Sequence, residues 1–452
     1  MRAGAVIAIL CVPVLLAAGA SASPGPSVDR RVLANGVRLL VSEQRARPMV
    51  VVQVLVDAGA RRDPPGKEGL ASLTADLLTE GTRSRTAAQI KDATDFIGAS
   101  LGAGVDMDFA TVSLAALSKD LDTALGLLTE VLRYPSFPEA EVVRRREAAL
   151  ASMESDEDDP GEVARRAFSR IVFPAQPYGH PPIGDPGTVR RLTRRDVVDF
   201  YQQNVRPERT IITVAGDVEV ADIARRIEAA LAGWGVGTAP QFVYPDVPAP
   251  APQTLRISKP ISQANILMGH RGIARDNPDY YAITVMNFIL GGGGFTSRLL
   301  EDIRTKAGLA YSIGSAFVAM QFPGSFQVVM QTKNASAGDA VRRVCGEIER
   351  IRTEPVSDEE LAGAKQYLTG SFPLRLDTTS KIAGFLSQVE FFQLGPDYVD
   401  RYAERITAVS KDDVLRVARE HLHPERINLV VVGDLTQASV PDAPACGGAS
   451  GR

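Results

Sequence analysis

The chain has 452 residues, of which 45% are hydrophobic and 23% charged, and its formal net charge is -4 with an isoelectric point near 5.8. A chain of this length and composition is expected to fold into two or three globular domains with full cores, which excludes a fibrous or disordered protein. The slightly acidic balance, without a long run of Lys or Arg, gives no electrostatic footprint for nucleic acid or for an anionic membrane.

Residues 1–22 have the pattern of an export signal. Arg2 precedes an uncharged apolar stretch that ends in the small residues ASA at 20–22, a site of the kind that signal peptidase cuts. An uncleaved membrane anchor is the alternative, but the apolar stretch is short and is interrupted by Pro13. We therefore expect an exported mature chain, periplasmic or secreted, with no stable membrane insertion.

Strands alternate with long helices in the hydrophobic pattern of the rest of the chain. This mixture favours an α+β fold, in which a mostly antiparallel sheet packs against several helices, over a doubly wound parallel sheet. The clearest predicted elements are helices at 86–100, 121–134 and 139–153 and strands at 109–117 and 324–333.

An internal repeat organises these elements. Residues 195–217 and 412–434 align without a gap at an offset of 217 residues and share eight identities in 23 positions. Each copy predicts an amphipathic helix, a turn with the sequence PER and a buried strand that ends in Gly-Asp. The strands predicted within 50–63 and 264–277 correspond more weakly. The chain is therefore predicted to be a duplication.

The duplication predicts two similar domains, at about 29–236 and 254–436. The Pro-rich segment 237–253 between them is expected to form an extended spacer, because proline interrupts helices and central strands. The last segment, 437–452, is rich in Gly, Ala and Pro and is expected to be a disordered tail.

Two cysteines, Cys345 and Cys446, lie outside the leader. Cys345 falls in a helical pattern and is interpreted as a small apolar filler, whereas Cys446 falls in the tail. Two cysteines do not make a disulfide framework. Nothing in the sequence supports a bridge between them, and nothing excludes one.

The segment DAGARRDPPGKEGLASLTADLLTEGTRSRT, at 57–86, resembles the zinc-site segment of the insulinase, pitrilysin and mitochondrial processing peptidase family, in which a helix carries the motif HxxEH. The resemblance extends over nearly the whole mature chain, through YGHPPIGDPGTVRRLTRRDVVDFY in the first half and GGGGFTSRLLEDIRTKAGLAYSIGSAF in the second. It implies two homologous α+β domains that form a clamshell around a cleft. In the motif, two imidazoles hold one zinc ion and the Glu takes a proton from the metal-bound water.

The positions that match HxxEH in this chain are Ser72, Ala75 and Asp76, and a further zinc-binding Glu of the family matches Ser152. A methyl group cannot act as a base, and a hydroxyl with one carboxylate is a poor replacement for two imidazoles. The resemblance therefore implies a degenerate zinc motif, and we expect this chain to bind no metal or other cofactor. Asp76 and Glu80 are interpreted as a solvated helix edge rather than a calcium site.

The helix at 69–82 is nevertheless expected to persist as part of the core, because Leu70, Leu73 and Leu77 fall on one of its faces. The four histidines offer no substitute metal site in the sequence. His421 and His423 lie near a predicted helix end, where a basic group suits the helix dipole, and they are interpreted as capping groups.

In the second half, the resemblance equates Arg304 and Tyr311 with a pair that reaches the zinc site. In that role the guanidinium holds substrate carbonyls and the phenol stabilises the oxyanion of the tetrahedral intermediate. Without the resemblance, a surface ion pair of Arg304 with Glu301 or Asp302 and a half-buried Tyr311 are the simpler alternatives.

A run of four glycines, Gly291, Gly292, Gly293 and Gly294, lacks the Lys-Ser/Thr of a phosphate loop. It resembles the glycine-rich loop of the family's non-catalytic processing-peptidase subunit, which implies a loop that bends against an extended peptide. A flexible strand-to-helix connection, with Thr296 or Ser297 as the helix N-cap, is an equal alternative.

These features together predict a non-catalytic subunit of an exported zinc peptidase. It would form a heterodimer with a chain of the same family that bears HxxEH and the zinc ion, and it would offer Arg304 and Tyr311 in trans to an extended peptide substrate. Two other hypotheses are a peptide-binding or core-protein-like scaffold without peptidase activity, and an independently active metallopeptidase with atypical ligands.

Overall fold

The computed structural model describes residues 25–235, 237, 241–443 and 445–446, so the expected signal segment lies outside the described residues. The strands are β1 (Asp29–Val32), β2 (Arg38–Glu43), β3 (Met49–Val56), β4 (Ser100–Val105), β5 (Ala110–Leu117), β6 (Thr210–Gly216), β7 (Thr254–Ser258), β8 (Gln263–Arg271), β9 (Ala310–Val318), β10 (Ser325–Lys333) and β11 (Asn428–Gly433).

The helices are long in both halves of the chain, and two π-helical segments, Phe288–Gly292 and Leu300–Lys306, follow α9. In chain order the helices are α1 (Leu70–Leu77), α2 (Ala87–Phe96), α3 (Leu121–Arg133), α4 (Glu139–Asp156), α5 (Pro160–Val172), α6 (Pro186–Val189), α7 (Arg194–Asn204), α8 (Val220–Leu231), α9 (Tyr280–Asn287), α10 (Ala337–Thr353), α11 (Asp358–Ser371), α12 (Thr379–Phe391), α13 (Tyr398–Ala408) and α14 (Lys411–His421). In the described part of the chain, no helix combines the length and the apolar character that crossing a bilayer requires.

The strands form two sheets with the same connectivity. The first has the order β1-β2-β6-β3-β5-β4 and the second has the order β7-β11-β8-β10-β9. One pair in each sheet is parallel, β2 with β6 and β7 with β11, and all other neighbours are antiparallel. Without β1, the first sheet matches the second strand for strand. The prediction of an α+β fold with two mostly antiparallel sheets is confirmed.

The two aligned stretches form the same local structure. The helices α7 and α14 both begin with a capping box, in which Thr193 exchanges hydrogen bonds with Asp196 and Ser410 with Asp413. The PER turns follow, and each leads into a strand, β6 or β11, whose residues are all buried. Identical local signals at the same offset therefore produce the central parallel strand of each sheet.

One helix from each half of the chain packs against the sheet of the other half. The helix α5 packs against β8 and β11 of the second sheet, where Phe168 joins Leu267 and Val430 in one apolar cluster. The helix α12 packs against β3 and β6 of the first sheet, where Leu386 joins Leu40 in another cluster. The central strands of both sheets are therefore buried on two faces, and one face of each sheet packs against a helix from the opposite half.

The described part of the spacer, 241–253, contains neither helix nor strand, but it is attached to both halves. Its Tyr244 ring stacks on Phe322 with the ring centres 4.4 Å apart. The carbonyl of Val247 accepts a hydrogen bond from Arg271 of the second half, and the carbonyl of Pro245 accepts one from Gln176 of the first half. The described spacer residues are therefore docked against both halves of the protein.

A disulfide between Cys345 and Cys446 joins α10 to the C-terminal segment. Ala438 and Val440, earlier in that segment, are buried in the second core. The interpretation of Cys345 as a simple apolar filler is therefore wrong, and the described part of the tail is attached to the body. The pairing depends on a contact between residues 101 positions apart, which the spacing of the cysteines could not reveal.

We expect Leu386→Ala to lower the free energy of unfolding by about 2–5 kcal/mol, because it opens a cavity between α12 and the first sheet. Chemical denaturation of the purified chain measures this change. The matched control is Leu117→Ala, whose side chain is 37% exposed where that of Leu386 is 5% exposed, and which should change the free energy by about 0.5 kcal/mol or less. Equal effects of the two substitutions would show that α12 does not hold the first sheet.

Candidate functional site

The helix that matches the zinc-site segment, α1, is held at its start by Asp63. The Asp63 carboxylate accepts hydrogen bonds from the backbone N–H groups of Gly69 and Ala71, both at 2.7 Å. Burial raises the pKa of Asp63, and the two backbone hydrogen bonds oppose that rise. Gly69 has a φ of 98°, and a Cβ there would lie 2.4 Å from the carbonyl oxygen of Ile183, so glycine is required at this position.

The apolar face of α1 is part of the first core. Leu70, Leu73 and Leu77 are all buried, as predicted from their spacing. The helix packs against α4, α7 and β4. It therefore contributes to the stability of the fold whether or not it carries chemistry.

The degenerate motif positions lie on two helices that pack together, α1 and α4. Ser72 and Asp76 are half-buried on α1, and Ala75 is buried. Ser152 is exposed on α4, next to Met153, which is buried in the core. The set therefore offers one hydroxyl and one carboxylate on α1 and a second hydroxyl on α4, too few donors of the kinds that hold zinc tightly.

Arginines of α4 neutralise the carboxylates beside these positions. Glu80 is buried and accepts hydrogen bonds from Arg144 and Arg145, so the interpretation of Glu80 as part of a solvated edge is wrong. Burial opposes ionisation of Glu80, but the hydrogen bonds from Arg145 and Arg144 outweigh it and lower the pKa of Glu80. Burial raises the pKa of Asp76, against the attraction of Arg145. Guanidinium groups thus supply the positive charge that a metal ion would otherwise bring.

A cluster of three possible metal donors, Asp279, Glu420 and His421, occurs elsewhere in the described part of the chain. The guanidinium of Arg416 already bonds Asp279 at 2.7 Å and Glu420 at 2.8 Å. His421, at the end of α14 as predicted, has its Nε2 2.8 Å from Asp279. Arg416 and His421 thus already engage the carboxylates of the cluster, and we assign it no metal.

His270 is held as a neutral imidazole in the second core. Its Nε2 accepts a hydrogen bond from the backbone N–H of His423, which leaves Nδ1 to donate to the carbonyl of Arg271. Burial lowers the pKa of His270 to about 4. Both ring nitrogens are therefore engaged in structural hydrogen bonds.

The second half presents Arg304 and Tyr311 on the surface, together with Phe295. The guanidinium carbon of Arg304 lies 4.9 Å from the centre of the Phe295 ring and 5.6 Å from the centre of the Tyr311 ring. Phe295 and Tyr311 are each 74% exposed. The helical segment of Arg304 ends at Lys306, and Gly308, with a φ of 64°, turns the chain into β9, where Tyr311 is the second residue.

The structure shows neither an ion pair of Arg304 with Glu301 or Asp302 nor a half-buried Tyr311. Asp302 pairs with Arg343, and Glu301 lies 3.7 Å from Lys306. Among the described residues, Arg304 has no carboxylate partner. The exposure of Tyr311 also excludes a half-buried strand position.

The glycine run ends the helical segment that starts with α9. Gly291 and Gly292 belong to its last, π-helical turn, and Gly294 opens a short 3-10 turn. A Cβ at Gly291 would lie 2.5 Å from Ser315 Oγ, and one at Gly293 would lie 2.7 Å from the carbonyl oxygen of Phe288. Close packing therefore requires glycine at both positions.

The alternative of a strand-to-helix connection is wrong, since a helix precedes the run. The hydroxyl of Ser297 donates to the carbonyl of Gly294 at 2.7 Å and does not cap the helical segment that follows. Gly294 has a φ of 57° and open space where a Cβ would stand. The run thus ends directly beside Phe295 and Arg304.

Both halves of the chain match domains of a known protein family. Residues 38–185 match the family described as insulinase (peptidase family M16), and residues 191–368 match the domain described as peptidase M16 inactive domain. This chain belongs to peptidase family M16.

Relatives and solved structures match the M16 chain over most of its length. An uncharacterised zinc protease of Streptomyces coelicolor is 28% identical over 416 residues, which cover 90% of each chain. An uncharacterised zinc protease of Mycobacterium tuberculosis is 26% identical over 408 residues, which cover 89% of this chain and 92% of the relative. The crystal structure of a peptidase M16 inactive domain from Pseudomonas fluorescens superposes with a TM-score of 0.85 at 28% identity, covering 92% of this chain and 100% of that one. A protease from Helicobacter pylori has the same fold, with a TM-score of 0.83 at 19% identity and coverage of 90% and 99%.

Sequence reasoning missed two features of the site in this M16 chain. Phe295 follows the glycine run directly, and its position in an otherwise small, polar segment was the available signal. Arg144 and Arg145 stand on the helix that carries Ser152, but the sequence could not show that they reach Glu80 on α1, 64 and 65 residues away.

We expect the purified chain, after incubation with zinc and exhaustive dialysis, to retain far less than one zinc ion per molecule, because the donors at the motif positions are too few and guanidinium groups balance their charge. Elemental analysis measures the zinc content. The variant Asp76→Ala should retain as little as the parent chain. Stoichiometric zinc that is lost on this substitution would establish an atypical metal site at α1.

Proposed function

We propose that this chain is the non-catalytic subunit of an exported insulinase-like zinc peptidase. It forms a heterodimer with a chain of the same family that bears HxxEH and zinc, and it supplies Arg304 and Tyr311 to that site. One observation carries the proposal. Tyr311 is exposed, and the half-buried Arg304 has no carboxylate partner among the described residues, in a chain whose own motif positions offer too few zinc donors.

The geometry of Arg304 suits a group that binds peptide carbonyls. The rings of Phe295 and Tyr311 lie against the guanidinium, and such contacts are made through the faces of a planar cation. The N–H donors of a guanidinium lie in its plane, so they remain free to bind acceptors from another molecule. Phe295 is in this view a positioning residue, which restricts Arg304 without using its hydrogen bonds.

The exposed phenol of Tyr311 suits the role of a hydrogen-bond donor to the oxyanion of the tetrahedral intermediate. A phenolic O–H that already points to solvent can donate to a negatively charged oxygen that develops on a bound substrate. Such a donor accelerates the reaction only if it is positioned before the charge develops. The location of Tyr311 at the start of β9, one turn beyond the left-handed Gly308, provides that fixed position.

The expected substrate is an extended peptide, because the glycine run leaves open space at Gly294 next to the arginine. Glycine lets a backbone approach closely, and extended peptides are bound largely through their main chain. The loop therefore recognises peptide conformation more than side-chain identity.

We expect peptide cleavage only when this chain is mixed with an HxxEH-bearing partner, and we expect Arg304→Ala or Tyr311→Phe to lower the rate of the mixture by about a hundredfold, the usual effect of removing one oxyanion donor. Phe295→Ala should have a smaller effect, because it frees Arg304 without removing it. The measurement is the cleavage rate of a fluorogenic peptide at saturating partner, and the partner is sought among exported family members encoded beside this chain.

The control is Lys306→Ala, which removes an exposed cation two residues from Arg304 and should leave the rate unchanged. Complex formation is measured separately by size-exclusion chromatography. Full activity of the double variant Arg304→Ala/Tyr311→Phe in an intact complex would refute the proposed roles. A complex that forms but never cleaves would favour the scaffold hypothesis.

The disulfide supports the proposed export of the chain. Disulfides such as Cys345–Cys446 persist in oxidising compartments and are rare where thiols are kept reduced. The leader pattern at 1–22 points the same way. Periplasmic or secreted localisation is therefore part of the proposal.

In the exported protein we expect neither cysteine to react with a maleimide-polyethylene glycol reagent under denaturing, non-reducing conditions, and both to react after reduction. A gel-shift assay counts the additions. Retention of the leader would add one reactive thiol, Cys11, so the assay also reports cleavage. Cys345→Ser is the control and should show one addition without reduction. Two additions to the untreated exported chain would contradict the bridge.

A further inference from the structure

A groove of 690 Å³ lies in the second half between the end of β9 and helix α12. Its volume is in the range of sites that bind small ligands or short peptide segments. Phe317, Phe385 and Leu394 contribute apolar surface, and Leu374 at its edge is 62% exposed. The groove is thus open to solvent and partly apolar, and it is separate from the cluster around Arg304.

Three cations line this groove, and no carboxylate does. Arg275 donates to the hydroxyl of Tyr398 at 2.7 Å and has its guanidinium carbon 3.6 Å from the centre of the Tyr280 ring. The guanidinium carbon of Arg375 lies 5.8 Å from the ring centres of Phe372 and Tyr402, and Arg375 makes no side-chain hydrogen bond to another described residue. Lys381 is partly neutralised by Asp377, which lies outside the groove. Two guanidinium groups therefore stand beside an apolar surface without an acidic partner.

Arginine is suited to bind a carboxylate, because its parallel N–H groups match the two oxygens. Neighbouring aromatic rings hold a guanidinium in place without using those donors. Guanidinium groups without a carboxylate partner among the described residues, next to apolar side chains, complement a ligand that carries a carboxylate next to an apolar group.

We propose that this groove binds the C-terminal end of a peptide whose last residue is apolar. The terminal carboxylate is held by Arg275 and Arg375, and the last side chain lies against Phe385 and the open surface at Gly384. This site is independent of the proposed role of Arg304 and Tyr311.

Two features favour a peptide over a fatty acid as the occupant. The strand β9 is at the edge of the second sheet, so the backbone at Phe317 has one side without a neighbouring strand in the described part of the chain. An edge of this kind can hydrogen-bond an extended peptide, which a hydrocarbon chain cannot exploit. The groove is also open along its length, which would leave a long alkyl chain in water.

Gly384 allows the groove to be filled without disturbing the fold. It lies within α12, and a Cβ built on it meets no other atom within 4 Å. Leucine at this position therefore projects into the groove, and it replaces a residue that is unfavourable in helices. Gly126 in α3 also has no atom within 4 Å of a built Cβ and is exposed, so Gly126→Leu is a matched control in the other half.

The test uses the mature chain alone and a fluorescein-labelled pentapeptide of Gly and Ala that ends in Phe, with either a free C-terminal carboxylate or an amide. Fluorescence anisotropy measures the dissociation constants. We expect saturable binding of the free acid and binding of the amide that is about tenfold weaker or more, the effect of losing one charge-assisted hydrogen-bonded contact. Arg375→Gln should weaken the free acid by a similar factor, and Gly384→Leu should abolish measurable binding.

The controls Gly126→Leu and Arg195→Gln should bind like the parent, since Arg195 is a 90% exposed cation outside the groove. Thermal unfolding of each variant verifies that it is folded. Equal binding of acid and amide, or full binding by folded Gly384→Leu, would overturn the proposal. Displacement of the peptide by laurate, with an inhibition constant well below the dissociation constant of the peptide, would show that the groove is a fatty-acid site instead.

Discussion

The exchange of helices between the two halves is the constraint on which the rest of the structure depends. Each sheet has β-branched central strands that are buried on both faces, and a sheet of this kind is stable only when both faces are covered. The first half covers one face of its sheet with its own helices and receives α12 for the other, while it lends α5 to the second sheet. The apolar contacts that complete each sheet therefore also fix the position of one half relative to the other. The docked spacer adds contacts to both halves at the same junction.

This constraint explains why α1 is retained although its motif positions offer too few zinc donors. Its leucines complete the first core, while the motif positions are distributed between half-buried and buried places that tolerate a hydroxyl, a methyl or a carboxylate. The packing of α1 therefore does not depend on histidines at the motif positions. The neighbouring arginines supply positive charge without the chemistry of a metal ion, because a guanidinium neutralises a carboxylate without being able to ionise a bound water.

The second half differs from the surroundings of α1 in that three of its arginines have no carboxylate partner among the described residues. Most arginines of the described chain have carboxylate partners, whereas Arg304, Arg275 and Arg375 are each held by aromatic rings. Aromatic contacts restrict a guanidinium while they leave its hydrogen-bond donors unused. Both proposals for this half rest on that shared arrangement, at two different places along β9. One place is the beginning of the strand, beside the glycine run, and the other is its end, beside α12.

The sequence by itself determined the α+β class, the repeated helix-turn-strand unit and the core face of α1, because each depends on local period or on a short motif. Tertiary structure decided the rest. The partners of Glu80, the bridge from Cys345 to Cys446 and the contact of Phe295 with Arg304 all join residues that come together only when separate elements pack. Tertiary structure also decided the exchange of α5 and α12. The sequence of an amphipathic helix shows which face is apolar, but it does not show which sheet that face packs against.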